Sequence, residues 1–173
     1  MNDATSQLWF KGLPLDKAVH RFTVGDDPAL DQRLLPFDAL GSAAHARMLA
    51  HVALLTPGDA AVLVTQLAVI AAQARRGEIR IRPEQEDCHT TIETLLTQAL
   101  GDAGKRLHLG RSRNDQVALA LRLYMRNALL NIAAQVVELA SAFASFARAH
   151  AGEVMPGYTH LRRAMPSTFG LWA

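Results

Sequence analysis

Two short runs in this chain hold the residue types that could do chemistry on a carboxylate. The first is Ser112-Arg113-Asn114-Asp115. An arginine guanidinium is a planar fork that matches a carboxylate through two parallel hydrogen bonds, and serine and asparagine add neutral donors. The run stands where a long helical stretch begins, and the free N–H groups and positive dipole end of a helix favour an anion there. Together these features describe a carboxylate-binding corner. The same tetrapeptide also reads as a solvated loop in which Asn114 or Asp115 caps the helix.

The second run is Tyr158-Thr159-His160. His160 can give or take a proton near neutral pH, with Tyr158 and Thr159 beside it to orient the ring. A structural histidine in an ordered loop is the plainer alternative. A third candidate, His89, lies near a helix start in Glu86-Asp87-Cys88-His89-Thr90. It reads either as a substrate contact or as a solvated ring behind an Asp87 cap. His108 precedes the arginine loop as a supporting residue, whereas His20, His45, His51 and His150 read as ordinary surface or interface side chains. Cys88 reads as a small packed residue, because no base is placed to activate it.

The elements that must position these runs are mostly helical. Residues 1 to 40, broken by Pro14, Pro28 and Pro36, read as an extended arm with short helical turns, and Gly25-Asp26-Asp27-Pro28 reads as a turn. Ser42 is placed to cap a helix through the following alanine-rich run. Thr56-Pro57-Gly58-Asp59 is a clear new helix start, running to Arg75-Arg76 with Gly77 just beyond. Glu78 to Pro83 alternates polar and apolar residues, as a short extended connection or one small strand. A helix over about 87 to 99 stops at Gly101, and Gly101-Asp102-Ala103-Gly104 reads as a turn before the arginine loop.

From Asp115 to about His150 there is no glycine or proline. One helix of roughly 36 residues would span about 54 Å. Its polar residues, from Arg122 and Arg126 through Gln135 and Glu138 to Ser145 and Arg148, fall on one narrow stripe. A helix apolar around most of its circumference must be buried on several sides. So short a chain has few other helices to cover it, which calls for further helices, other subunits or both. Val154 to Leu161 reads as a second loop rich in hydrogen-bonding groups, followed by an apparent helix around residues 166 to 170. No closing signal precedes Ala173, which reads as a truncation.

Composition narrows the function classes. At 173 residues the chain suits one domain, or one small domain and a piece of a second. Half the residues are apolar and a fifth charged, which argues for a packed globular protein. A net charge of +2 does not support a nucleic-acid footprint. A single cysteine forbids an internal disulfide and favours a reducing compartment. The N-terminus lacks the pattern of a secretory signal, and no run of about 18 uninterrupted apolar residues suggests a membrane span, so a cytoplasmic location is expected. No His-Glu-x-x-His pair, no clustered Cys/His spacing, no phosphate-binding P-loop and no Gly-x-Ser-x-Gly elbow occurs.

The stretches Gly110-Arg111-Ser112-Arg113-Asn114-Asp115-Gln116 and Pro156-Gly157-Tyr158-Thr159-His160-Leu161, in this order and separated by one long apolar helix, resemble the signatures of argininosuccinate lyases. The surrounding stretches fit as well: Gly41 to Leu49, Leu54-Leu55-Thr56, Glu86-Asp87-Cys88-His89 and Gly101 to Lys105. The resemblance covers nearly the whole chain from about residue 8. It implies an all-α fold of the fumarase and aspartase type. A small N-terminal helical domain over residues 1–110 would precede the first part of a long-helix bundle over residues 111–173. Four subunits would pack their bundles together and build composite active sites from different chains.

The implied reaction is the β-elimination of argininosuccinate to arginine and fumarate, as in arginine biosynthesis, without cofactor or metal. By resemblance, Ser112, Arg113 and Asn114 hold the carboxylates of the fumarate side and His89 lies at the substrate. Thr159 also binds substrate, and His160 assists proton transfer. Two residues depart from the family pattern: Leu109 stands where threonine or serine is usual, and Arg162 where glutamine is usual. The family's Gly-Ser-Ser loop, which supplies a base serine and a lysine, is not among these residues, so the chain alone is expected to be inactive. The competing expectations are a non-catalytic helical scaffold or oligomerisation partner, and a relative releasing fumarate from another substrate.

Overall fold

In the computed structural model the described residues are 16–82 and 85–173, and the chain divides into two compact units, Met1–Met125 and Arg126–Ala173. The first fifteen residues of the expected arm, with Pro14, and Pro83 at the end of the extended connection lie outside the described residues.

The rest of that arm is helical, which corrects the irregular reading. α1 spans Lys17–Val24, with the Asp16 side chain accepting hydrogen bonds from the backbone N–H groups of Ala18 and Val19. The expected turn at Gly25-Asp26 follows. α2 then runs from Asp27 to His51, with Pro28 in its first turn, where a missing N–H costs nothing. Pro36 lies inside this helix. An interior proline removes a ladder hydrogen bond and costs about 3 kcal/mol in isolation. Here Leu35, Ala39, Ala46 and Leu49 are fully buried along the same helix, and tertiary burial overrides the local preference. Ser42 accordingly sits in mid-helix, buried, and caps nothing.

α3, Pro57–Arg75, begins as its residues dictate: Pro57 takes the first position and the Thr56 hydroxyl accepts from the Asp59 N–H at 3.0 Å. Replacing Thr56 with alanine is expected to cost about 1 kcal/mol. The measurement is the urea midpoint at unchanged slope; an unmoved midpoint would mean that solvent replaces the cap. By length and composition α3 would pass for a membrane span, but Leu63, Leu67 and Ile70 on one face are buried in the core.

Residues 78–82 form neither a helix nor a strand. The Gln32 side-chain amide takes the place of a neighbouring strand, donating to the Ile79 carbonyl at 2.9 Å and accepting from the Ile81 N–H at 3.1 Å. α4, Cys88–Leu100, starts at Asp87, whose carboxylate accepts from the Thr90 N–H at 2.7 Å, and ends at Gly101 with φ 59°. The expected turn after it is instead a short helix α5, Asp102–Lys105, and a 3-10 turn, Arg106–His108, which drives Leu107 into the core. Among the described residues the core joins α2, α3 and α4 with Leu107.

α6, Arg113–Ala149, is the expected long helix and runs on into the second unit. In the first unit it buries Gln116 and Ala120, and sets the Tyr124 ring edge-on to Phe37 at 5.8 Å. In the second unit Leu129, Leu130, Ile132, Val136, Val137 and Leu139 are all more than half exposed. The apolar circumference read from the sequence is therefore present as open surface.

The second correction falls in this unit. Residues 154–161 do not form a loop. β1, Val154–Thr159, pairs antiparallel with β2, Arg162–Thr168, with an irregularity at Gly157. Pro156 faces Pro166, so neither offers an N–H to the ladder at that pair. The turn puts His160 at φ 48° and Leu161 at φ 62°, a conformation that glycine and asparagine usually occupy. The helix expected around residues 166–170 is the single turn α7, Phe169–Trp172, capped by Thr168. Trp172 packs back on Phe143 and Phe146 of α6, with ring centroids 6.2 and 6.5 Å apart. Among the described residues the regular structure is thus mostly helical, with this two-stranded hairpin as its sheet.

Candidate active site

The start of α6 is built by a reciprocal cap. The Ser112 hydroxyl accepts from the Asn114 N–H at 3.1 Å, and the Asp115 carboxylate accepts from the Ser112 N–H at 3.1 Å. This is the capping-box arrangement, with Ser112 rather than Asn114 or Asp115 as the cap residue. It fixes the first turn of a 37-residue helix so that its positive end stands over exposed Asn114.

Arg113 is already engaged. One guanidinium nitrogen donates to the Asp87 carboxylate and the other to the Thr90 hydroxyl at 3.1 Å. Asp87 thus serves α4 as its cap and α6 as an anchor, tying together two helix starts. The pair is partly exposed, so its own contribution is about 1 kcal/mol or less. Arg113 could take up another carboxylate only by exchanging or sharing Asp87.

His89 sits beneath this corner. It is buried in the first turn of α4, and its Nδ1 lies 2.8 Å from Asp38 Oδ2, with side-chain exposures of 4% and 1%. Burial alone would lower the His89 pKa. The hydrogen bond and charge of Asp38, helped by Asp87 and Asp31, outweigh it and hold the pKa above 6.5. The contacts therefore favour the protonated ring more than in a free histidine. Its Nε2 is buried without a hydrogen-bond partner among the described residues.

Asp38 belongs to a longer chain of contacts. Ser42, one turn on, approaches its other oxygen at 3.4 Å, and Arg111 donates to the Ser42 hydroxyl at 3.1 Å. The carbonyl of Leu109 accepts from His45 Nε2 at 3.0 Å. Burial, with Arg111 and His108 nearby, holds the His45 pKa below 6.5, against the opposing effect of that carbonyl, so His45 is a neutral donor. The loop carrying Leu109 and Arg111 is thus held by polar side chains of α2. Sequence reasoning assigned His45 to the surface and Ser42 to a cap, and passed over Asp38. The available signal was the spacing: Asp38 and Ser42 stand four apart, on one face of a stretch otherwise rich in leucine and alanine.

His108 supports the same region through Glu93, 3.3 Å away, and its proximity keeps the Glu93 carboxyl below its usual range despite partial burial. Burial and the Asp38 and Asp31 carboxylates push the Cys88 thiol well above its ordinary value, so it is no nucleophile. Asp31, Cys88 and His89 also bring potential ligand atoms within 4.8 Å of one another. Those atoms are engaged otherwise: Asp31 accepts from the Cys88 N–H at 3.1 Å, and His89 Nδ1 is bound to Asp38.

Ser112, Arg113, Asn114 and His89 therefore all belong to the first unit, and Arg113 joins the Ser112 loop to the helix start that carries His89. Thr159 and His160 belong to the second unit. There Thr159 ends β1 opposite Arg162, and His160 occupies the hairpin turn, exposed. Leu109 is half exposed at the loop, with its side chain adding no polar group.

A protein-family model described as Lyase matches residues 12–173. The chain is 47% identical to the argininosuccinate lyase of Sorangium cellulosum over 96% of its own length and 39% of that protein. It is 46% identical to the argininosuccinate lyase of Bacteroides fragilis over 96% of its own length and 37% of that protein. Among solved structures, an EDDS lyase variant with bound fumarate aligns over 99% of this chain and 34% of that one, with a TM-score of 0.63 and 26% identity. The chain thus spans about two fifths of the length of the curated relatives it matches.

Proposed function

This chain belongs to the lyase family whose model spans its residues 12–173, and from that premise we propose that it carries the N-terminal, carboxylate-binding part of an argininosuccinate lyase. The observation that carries the reading is the juxtaposition of a capped helix start bearing Ser112, Arg113 and Asn114 with a buried His89 anchored on Asp38.

The reaction cleaves argininosuccinate to arginine and fumarate. A base removes a proton from the carbon beside a carboxylate. The electron pair forms the fumarate double bond, and the C–N bond breaks towards a guanidino nitrogen that must be protonated. So weak a carbon acid ionises only where the charge building on the carboxylate is stabilised. Ser112, Asn114 and the α6 dipole supply neutral donors for that charge, and Arg113 and His89 supply cations. Thr159 binds substrate and His160 assists proton transfer, contributed to a composite site within a homotetramer of cytoplasmic subunits. No cofactor, metal, nucleic acid or membrane enters the reading. Residues 1–110 form its N-terminal domain and residues 111–173 open its bundle. The exposed apolar length of α6 supports that assembly, since a patch of this kind calls for a protein partner.

One observation favours a second reading. Arg113 is occupied by Asp87 and Thr90, as in a scaffold that keeps the fold and has lost the chemistry, and Leu109 and Arg162 fit that as well. The deciding measurement is fumarate release from argininosuccinate by this chain, alone and with the C-terminal remainder of the Sorangium cellulosum relative as a separate polypeptide. Release only with the second polypeptide is the expected result. Release by the chain alone would overturn the need for a Gly-Ser-Ser loop. Assembly of the two without release would favour the scaffold, and release from a different succinyl substrate would favour a related lyase.

A further inference from the structure

Asp38 lies outside every motif that led to the lyase reading, yet it is among the most deeply buried charged groups described, with 1% of its side chain exposed. A buried carboxylate persists only where it is paired and hydrogen-bonded. Asp38 has partners on both oxygens: His89 Nδ1 at 2.8 Å on Oδ2, and the Ser42 hydroxyl at 3.4 Å on Oδ1. Ser42 is held in turn by Arg111 at 3.1 Å. The chain of contacts runs from the loop that opens α6, through α2, to the ring at the start of α4.

This geometry leaves little choice for the ring. A carboxylate only accepts, so His89 Nδ1 must carry a proton. Nε2 is then the one nitrogen left to meet a ligand, and it is buried without a partner among the described residues. We propose that Asp38 is a positioning residue of the active site: by holding Nδ1–H it fixes the orientation of His89 and reserves Nε2 for a substrate carboxylate. The role assigned to the substrate rests on the lyase reading; the coupling of Asp38 to His89 does not.

Charge follows from the same contacts. The acidic groups that act on His89 are Asp38 and Asp31 from α2 and Asp87 at the start of α4, with the protonated thiol of Cys88 3.8 Å from Nδ1. They favour the imidazolium, so Nε2 presents an N–H, the donor that an anionic substrate needs. When the ring does lose a proton at higher pH, it must lose the one on Nε2. That leaves the Nδ1–H tautomer, the less usual form of a free imidazole.

The test is nitrogen-15 NMR of the histidine side chains in the full 173-residue chain, with the His89 signals assigned by their loss in His89→Gln. The expected result is a neutral Nδ1–H tautomer at high pH, and a titration midpoint that moves down in Asp38→Asn. An Nε2–H tautomer in the unsubstituted chain would overturn the proposal, and that measurement stands even where Asp38→Asn fails to fold. A midpoint unmoved in a folded Asp38→Asn would overturn it too. Added fumarate separates the two ideas. A shift of Nε2 that is lost in Asp38→Asn supports both. No effect of fumarate, with tautomer and midpoint as expected, supports the positioning by Asp38 and counts against the lyase reading alone.

Discussion

Asp38→Ala is expected to destabilise the first unit by about 3 to 5 kcal/mol, far more than a typical polar substitution, because it removes one partner of a buried pair. His89 would be left buried with only the distant Cys88 thiol near Nδ1, and Ser42 would lose the carboxylate that it faces. The cost depends on pH in a defined direction. The folded pKa of His89 lies above its ordinary 6.5. The stability from the pair is therefore fully present below 6.5, and is lost as pH rises through the folded value. The penalty of Asp38→Ala is accordingly largest at about pH 6 and smaller at about pH 9, as the pair gives up its proton. Urea unfolding at those two pH values, followed by circular dichroism, measures both numbers. A penalty equal at both would mean that the pair holds no charge and that His89 is bound as a neutral ring.

That pair also marks where sequence reading stopped. Thr56-Pro57-Gly58-Asp59, the Asp87 cap and the uninterrupted run into α6 were legible, because capping chemistry and the absence of glycine and proline act within a few residues. The helix from Ser42 on was read, but the first half of α2 was hidden by Pro36, whose local signal to break a helix is strong, while the burial that overrides it comes from α3 and α4, far away in sequence. The hairpin was hidden for the opposite reason. Pro156, Gly157 and Pro166 are poor strand residues, and His160-Leu161 is a poor turn.

The residues of the candidate site could be picked out by type, but their wiring could not. Ser112, Arg113 and His89 could be named from type and position. That Ser112 is the cap, that Arg113 is tied to Asp87, and that Asp38, Ser42, His45 and Arg111 hold the loop all depend on side chains from α2 meeting α4 and the α6 start. No local pattern encodes such a meeting. Resemblance to a family supplied expectations for these positions, and the contacts supply the physical reasons these side chains sit where they do.

The packing that sets the loop in place is itself open to a severe test at Gly104. A Cβ built there would lie 2.6 Å from the backbone carbon and oxygen of Leu96 and 2.7 Å from the Thr97 nitrogen. These are backbone atoms of α4, two of them from the fully buried Leu96, and they cannot swing aside as a side-chain tip can. α5 must move instead. Overpacking of this kind costs about 1 to 3 kcal/mol, and the absence of a flexible neighbour puts Gly104→Ala near the upper figure, about 3 kcal/mol. Gly58→Ala is the contrast. Its Cβ would have only the Thr56 hydroxyl, 3.9 Å away, within reach. There alanine is expected to stabilise α3 by up to about 1 kcal/mol.

The consequence of Gly104→Ala extends beyond stability. α5 leads directly to Arg106, paired with Asp59 at 3.0 Å, to Leu107 in the core, and to Leu109, whose carbonyl is held by His45. A displaced α5 pulls on each of these before it reaches Arg111 and Ser112. His45 reports the strain, because burial is the leading cause of its lowered pKa. As the loop loosens and water enters, the His45 titration is expected to move up towards 6.5, while the urea midpoint falls. A Gly104→Ala chain as stable as the parent, with His45 titrating unchanged, would mean that α5 slides freely over α4. The loop would then take its position from the α6 cap and the Arg111–Ser42 contact alone.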